Sequence, residues 1–317
     1  MHPLSLLPLA ISLAIAWEPP SYPSWTLLWS DSFAGPPGTL PNKTNWNIID
    51  AFPDINHELQ TYTPSPDNVQ LTGGSTLQLI PRRNNDSARG WTSGRIESTF
   101  TLKPKPGTRT TVEALIRFGD HPPSAKQGIF PSFFAQGDSI RHGGDWPACG
   151  EIDILQTING DLTSYGNAHC DVFPDGRCNE PTGLSGTVEI PGQGWHRWRV
   201  VWHREAGCWE CEGVVWYMDG EEYWRVEGGD VGDEGVWKSL LGGEEGLFFI
   251  LKVAVGGDWP GDPNEETLDG YGSMMEVAYV AVSLMVEMRV PGTKREGTKG
   301  CRGFLTFEGA IKDQRGT

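Results

Sequence analysis

Strand-length apolar runs separated by turn residues recur along most of this chain, and they limit its fold to one built from β-strands. The runs are rich in β-branched and aromatic residues, and Gly, Pro, Asn or Asp bound them. The chain also holds 41 Gly and 24 Pro among 317 residues, which disfavours long continuous helices. Antiparallel strands are predicted at residues 76–80, 94–102, 110–117, 151–155, 198–203, 214–218, 247–255 and 275–286.

The clearest hairpin signal lies between Trp216 and Trp224. Asp219-Gly220 stands at its centre, flanked by aromatic residues on both sides. Asp-Gly supplies the positive φ angles that a type I′ turn requires. No internal repeat and no Pro/Ser-rich linker divides the chain, so a single domain is predicted over residues 17–290.

The two ends of the chain differ from the predicted domain. Residues 4–16 form an apolar run that closes on the small-x-small pattern Ala14-Ile15-Ala16. This pattern predicts a signal peptide at 1–16, a mature chain from Trp17, and secretion to the extracellular space or cell wall. Residues 291–317 carry six Lys/Arg against three Asp/Glu, without strand-like alternation, and are interpreted as a flexible basic tail.

The cysteine content agrees with secretion, because six cysteines allow up to three disulfides. Their connectivity is not readable from the sequence. A zinc site is the alternative, since Cys208 and Cys211 form a C-x-x-C motif, although no second pair matches it. Sequons at Asn42 and Asn85 would accept glycans in a secreted protein. The six cysteines are Cys149, Cys170, Cys178, Cys208, Cys211 and Cys301.

The charge balance excludes one large class of partner. The chain has 41 Asp+Glu against 25 Lys+Arg, a formal charge of −16, whereas nucleic-acid binding depends on cations that neutralise phosphates. Nucleic acid is therefore not expected as a partner. No run is long enough to cross a bilayer, so a membrane is not expected either. The chain is expected to be a monomer.

The 14 Trp exceed the ordinary needs of core packing, and flat indole faces are surfaces on which sugar rings stack.

The segment most suggestive of chemistry is the predicted strand at 151–155. Side chains alternate along a strand, so Glu151 and Asp153 share one face, while Ile152 and Ile154 point to the other. Gln156 would join the two acids only if a β-bulge absorbed one extra residue. The alternative is an acidic pair on the solvent face of an ordinary strand.

The run G-E-I-D-I-L-Q at 150–156 resembles the active-site strand of glycoside hydrolase family 16, which carries E-x-D-x-x-E in a bulged form. The resemblance extends over about residues 29–286 and is closest to secreted fungal laminarinase-like and mixed-linkage glucanase-like members. Further segments resemble family motifs in the family's order: W-T-S-G-R-I-E at 91–97, T-V-E-A at 111–114, G-I-F-P-S-F-F at 128–134, W-Y-M-D-G at 216–220 and V-A-V-G-G-D-W-P-G at 253–261.

This resemblance implies a concanavalin A-like β-jelly-roll sandwich with a glycan cleft on its concave face. It also implies cleavage of β-1,3 or β-1,3/1,4 glucans with retention, which needs two carboxyl groups about 5–5.5 Å apart. Carried over by position, Glu151 is the nucleophile and Asp153 is the neighbour that orients it. Gln156 occupies the acid/base position. No cofactor is implied, and the convex-side calcium of some members has no support in this sequence.

Gln156 is the departure that decides between functions. An amide has no proton to donate, and general acid–base catalysis contributes about 10²–10⁴-fold. Glu180 and Asp171 are the acids considered as replacements. Three hypotheses remain: a slow retaining glucanase, an inactive β-glucan-binding (lectin-like) protein, and a cell-wall transglycosylase.

The resemblance also suggests which side chains contact sugar. Trp146 and Trp259 lie in motif loops and are interpreted as stacking platforms, whereas Trp198, Trp202 and Trp216 alternate with core residues and are interpreted as packing. His169 either lines the site beside the acids or packs as a structural histidine. Phe130 and Phe134 stand where the family has tryptophans.

Overall fold

The computed structural model describes residues 17–53 and 55–286 of the chain. The predicted signal peptide at 1–16, the tail at 291–317 and Cys301 therefore lie outside the described residues. Within the described ranges, no helix is long and apolar enough to cross a membrane.

The described chain is built mainly from strands. They are β1 Thr26–Asp31, β2 Trp46–Ile48, β3 Gln60–Tyr62, β4 Val69–Leu71, β5 Leu77–Leu79, β6 Arg82–Arg83, β7 Trp91–Ser93, β8 Arg95–Ser98, β9 Thr108–Phe118, β10 Ile129–Gly137, β11 Glu151–Gln156, β12 Thr163–His169, β13 Leu184–Glu189, β14 His196–Arg204, β15 Gly213–Met218, β16 Glu221–Glu227, β17 Leu247–Val255 and β18 Met275–Val286. Two short α-helices, α1 Gly228–Val231 and α2 Glu234–Leu240, lie between β16 and β17.

Two large antiparallel sheets form the architecture of the described chain. An eight-stranded sheet has the order β16-β15-β14-β9-β18-β5-β4, with β1 also paired to β18. A seven-stranded sheet has the order β13-β12-β11-β10-β17-β8-β2, and a small third sheet joins β3, β7 and β6. This arrangement confirms the predicted all-β, jelly-roll sandwich class.

The predicted strands lie within or overlap observed ones, because their alternating residues pack one face against the core. The Asp219-Gly220 hairpin is confirmed as well: β15 pairs with β16, and both turn residues have positive φ angles, 52° and 93°. The run at 94–102 yields only the short strand β8, Arg95–Ser98.

The core lies between the two large sheets. Trp198, Trp202 and Trp216 are fully buried in it, which confirms that they pack rather than bind sugar. The opposite wall includes Ile152 and Ile154 of β11. The face of the seven-stranded sheet turned away from this core is called the cleft face below.

Two disulfides are present among the described residues, Cys170–Cys178 and Cys208–Cys211. The second corrects the zinc alternative, since the C-x-x-C sulfurs are bonded to each other. Cys149 is a buried free thiol, and burial together with the nearby Glu151 carboxylate raises its pKa to about 12.

The buried tryptophans give a test of the sandwich. Trp198→Ala should lower the free energy of unfolding by about 3–5 kcal/mol, because it empties a large fully enclosed volume between the sheets. Denaturant unfolding measures the change. Trp17→Ala, which truncates an exposed indole, is the control and should cost less than about 1 kcal/mol; equal losses would contradict the core assignment.

Candidate active site

A β-bulge in β11 brings the candidate residues onto one face. The pairing register of β11 shifts between Asp153 and Gln156 against β12, and a corresponding shift occurs against β10. Ile154 and Leu155 are consecutive residues, yet both belong to the core. Gln156 therefore returns to the cleft face beside Asp153, which is the position expected of a strand with a bulge.

Asp153 is at the centre of the site and is fully buried. Its Oδ1 accepts a hydrogen bond of 2.7 Å from Nε2 of Gln156. Its Oδ2 lies 3.3 Å from Nε2 of His169, as an ion pair. Its backbone carbonyl accepts a hydrogen bond of 2.6 Å from the indole of Trp216, a residue of the opposite sheet.

Gln156 is held at both ends of its amide. Nε2 donates to Asp153, and Oε1 accepts from Nδ2 of Asn167 at 3.0 Å. Because a carboxylate only accepts hydrogen bonds, the amide nitrogen must face Asp153. Gln156 is partly exposed, and its amide nitrogen is a neutral donor with two N–H groups.

Glu151 is the partly exposed acid of the pair, and its Oε2 accepts a hydrogen bond of 2.7 Å from Nε2 of Gln136. Loss of solvent around the half-buried carboxyl group raises the pKa of Glu151 to about 7, and the nearby Asp153 carboxylate adds to this. The cations His169, Lys252 and Arg95 act in the opposite direction. Glu151 consequently changes charge near neutral pH.

His169 lies between two buried carboxylates. Its Nδ1 is 2.7 Å from Oε2 of Glu180, and its Nε2 faces Asp153. Burial by itself lowers the pKa of His169, but the hydrogen bonds and charges of Asp153 and Glu180, with Glu151, raise it to about 11. The structure places His169 beside Asp153, and the raised pKa favours its protonated form.

The two acids considered as replacements for Gln156 are engaged elsewhere. Glu180 is buried, and its carboxylate binds His169 and the backbone N–H of Cys170. Asp171 accepts a hydrogen bond from the backbone N–H of Arg177.

The predicted sugar-binding aromatics differ in exposure. Trp146 is 37% exposed and Trp259 is 45% exposed, whereas Phe130 and Phe134 are only 8% and 5% exposed. The ring centroids of Trp146 and His169 are 5.5 Å apart. The ring centroids of Trp259 and Phe130 are 5.2 Å apart in a T-shaped arrangement, and Lys252 lies over both phenylalanine rings.

Sequence reasoning missed several residues of the site. Gln136 and Asn167 lie on the strands beside β11, and only the pairing register brings them to the acids. Phe173 is 59% exposed, and its ring lies 6.3 Å from Trp146. The sequence offered one signal for Gln136 and Asn167: each is a polar residue within a strand-like run, which marks a side chain directed away from the core.

Glu151, Asp153 and His169 also form a group that could hold a metal ion, with ligand atoms within 4.8 Å of one another. A metal would require neutral imidazole, because a protonated nitrogen has no lone pair to offer. Two carboxylates hold the proton on His169, so these donors fit a protonated histidine better than a metal ligand.

The raised pKa of Glu151 predicts a pH-dependent effect on stability. Its pKa is about 7 in the folded chain against an ordinary 4.5, so the folded chain holds this proton more tightly than the unfolded chain. The free energy of unfolding therefore falls as the pH rises from 4.5 through 7. Glu151→Gln should therefore increase the free energy of unfolding at pH 8 more than at pH 4.5, by on the order of 1 kcal/mol or more. Denaturant titrations at both pH values measure this.

Glu189→Gln is the control, because Glu189 is an exposed carboxyl at the end of an edge strand. Its effect should be the same at both pH values. A pH-independent effect of Glu151→Gln would contradict the raised pKa.

Comparisons with known proteins identify relatives over most of the chain. No protein-family profile matches it. Among solved structures, the endo-1,3-β-glucanase from Streptomyces sioyaensis is 30% identical and superposes with a TM-score of 0.78, covering 86% of this chain and 100% of that one. Among curated proteins, the β-glucanase of Rhodothermus marinus is 26% identical over 272 residues, covering 84% of this chain and 87% of that protein.

A second curated relative is the clotting factor G alpha subunit of Tachypleus tridentatus, 27% identical over 268 residues. The match covers 82% of this chain but only 34% of that subunit. The chain thus spans about a third of the length of the clotting-factor subunit.

Proposed function

The chain belongs to glycoside hydrolase family 16, and from this premise we propose that its cleft binds β-1,3-type glucans, mixed-linkage glucans included, and hydrolyses them with retention only slowly. The observation that carries the proposal is the Gln156 amide, held between Asp153 and Asn167 next to an intact carboxyl group on Glu151. The nucleophilic half of a retaining site is present, and its acid/base half is an amide.

Glu151 supports the nucleophilic step. In this step its ionised carboxylate attacks the anomeric carbon, and a covalent glycosyl–enzyme bond forms as the glycosidic bond breaks. Gln136 fixes one carboxylate oxygen by its hydrogen bond. Asp153 stays buried behind the pair and orients Gln156 through Oδ1.

Gln156 weakens both halves of the reaction. Its free N–H can donate a hydrogen bond to the glycosidic oxygen but cannot transfer a proton to it. A sugar alkoxide is a poor leaving group, so the loss lies towards the upper part of the 10²–10⁴-fold range that general acid catalysis contributes. The same amide cannot activate the water that hydrolyses the intermediate. Binding of glucan is therefore favoured over turnover.

Exposed aromatic side chains support glucan binding. Trp146 and Trp259 present indole faces on loops beside the acids, one near His169 and the other near Tyr165. Phe173 extends the surface of Trp146. An apolar ring face suits the C–H face of a glucose unit, while the amides of the site suit its hydroxyl groups.

Secretion is part of the same proposal. Both disulfides among the described residues favour an oxidising compartment, and an extracellular or cell-wall polysaccharide would be reached there. Residues 1–16 would be the signal peptide that directs this secretion.

Restoring the acid tests the proposed defect. Gln156→Glu should raise reducing-sugar release from laminarin by roughly 10²-fold or more, because Asp153 at hydrogen-bond distance would keep the new carboxyl group protonated. Gln70→Glu, the same change on a strand of the eight-stranded sheet, is the matched control and should give no gain.

Glu151→Ala should abolish hydrolysis in both the parent and the Gln156→Glu background. Rapid laminarin hydrolysis by the parent chain would show that another group supplies the proton. A Gln156→Glu chain no faster than the parent would show that the cleft is defective elsewhere.

A paired substitution tests the aromatic surface. Phe173→Ala should weaken the Kd for laminari-oligosaccharides by about fivefold, since one ring face buries on the order of 50 Å² of apolar area, about 1 kcal/mol. Val172→Ala is the control, because Val172 is the adjacent residue of the same loop and is similarly exposed, 56% against 59%. Isothermal titration calorimetry measures both, and equal effects would contradict a role for the Phe173 ring.

A further inference from the structure

Glu180 is a buried carboxylate that the proposed hydrolysis does not use. It lies two residues beyond Cys178, which closes a loop by its disulfide to Cys170. Oε2 of Glu180 is 2.7 Å from Nδ1 of His169, and Oε1 accepts a hydrogen bond of 2.8 Å from the backbone N–H of Cys170. Both carboxylate oxygens of this enclosed side chain thus have hydrogen-bond partners.

The two carboxylates determine the charge of His169. A buried carboxylate is costly unless it is paired and hydrogen-bonded, and Glu180 meets this requirement through the imidazole. Asp153, equally buried, faces the other ring nitrogen. The Nδ1 contact with Glu180 is a hydrogen bond and the Nε2 contact with Asp153 is a 3.3 Å ion pair, and an imidazole presents a hydrogen on both nitrogens only when it is protonated. The geometry therefore holds His169 as an imidazolium.

Several other charged and titratable groups lie near the acid pair: the cations are ion-paired with other carboxylates, and the thiol and the hydroxyl are neutral. Lys252 on β17 is ion-paired with Glu58, and Arg95 on β8 is ion-paired with Glu97. The Cys149 thiol beside Glu151 and the Tyr223 hydroxyl near Asp153 are held neutral because burial raises the pKa of each. The His169 imidazolium is the cation that contacts Asp153.

We propose that Glu180 is a positioning residue, which keeps His169 charged against Asp153 so that Glu151 remains available as an ionised nucleophile near neutral pH. The inference rests on the proposed function of Glu151. Without the Glu180 carboxylate, the imidazole would have one anionic partner and would release its proton more readily. Glu151 would then face the negative charge of Asp153 with less compensation, and its ionisation would move to higher pH.

The test uses an activated donor whose departure needs no acid, so that Gln156 does not limit the measured step. The full mature chain is mixed with 2,4-dinitrophenyl β-laminaribioside, and the first-turnover release of dinitrophenolate is followed from pH 5 to 9. For Glu180→Gln, the midpoint of the acid limb should rise by about 0.5 unit or more, which lowers the rate at pH 6 by about threefold or more. Near pH 9 the two rates should converge.

Two controls separate this role from a merely structural one. Asp171→Asn removes a carboxylate from the disulfide-closed loop that precedes Glu180, where it binds the N–H of Arg177, and should leave the midpoint unchanged. Glu180→Asp keeps the charge and should restore part of the shift. A uniform rate loss at every pH, with an unchanged midpoint, would overturn the proposal.

A second measurement holds even where Glu180→Gln folds poorly. In the unaltered chain, ¹⁵N NMR of the His169 ring at pH 8 should show both nitrogens protonated, and a neutral ring would overturn the proposal. If the chain neither releases dinitrophenolate nor binds laminari-oligosaccharides, the proposed function fails. An imidazolium signal would then still show that the Glu180–His169 pair exists.

Discussion

The bulge in β11 is the constraint on which the site depends. Strand alternation would send Gln156 to the opposite side from Asp153, but Ile154 and Leu155 are both claimed by the core between the sheets. Burial of these two neighbouring apolar side chains therefore imposes the register shift. The hydrophobic interior thus brings the polar groups of the site onto one face of the sheet.

The polar side chains of the site form a continuous chain of contacts. It runs from Glu180 through His169 and Asp153 to Gln156, and ends at the Asn167 amide. Each member is oriented by the one before it, because carboxylates accept and amides and imidazolium donate. Replacement of a carboxyl group by an amide at Gln156 preserves this order of donors and acceptors. An amide at this position is therefore compatible with the shape of the site that the hydrogen bonds define.

Local features of the sequence were sufficient for the strands, the Asp219-Gly220 hairpin and the common face of Glu151 and Asp153. Each depends on alternation or turn chemistry within a few residues. The partners Gln136 and Asn167 depend on pairing between strands, which local patterns do not encode. Glu180 illustrates the same limit: the sequence suggested an acid for the cleft, whereas the loop turns its carboxylate towards His169.

The hydrogen bond from Trp216 to the carbonyl of Asp153 joins the cleft strand to the opposite sheet. Its donor is fully enclosed, so it cannot exchange this partner for water without separation of the two layers. Heat or denaturant that loosens the interior would displace the acid pair at the same moment. Loss of ligand binding and global unfolding should accordingly coincide, and a substitution that loosens the core should weaken both.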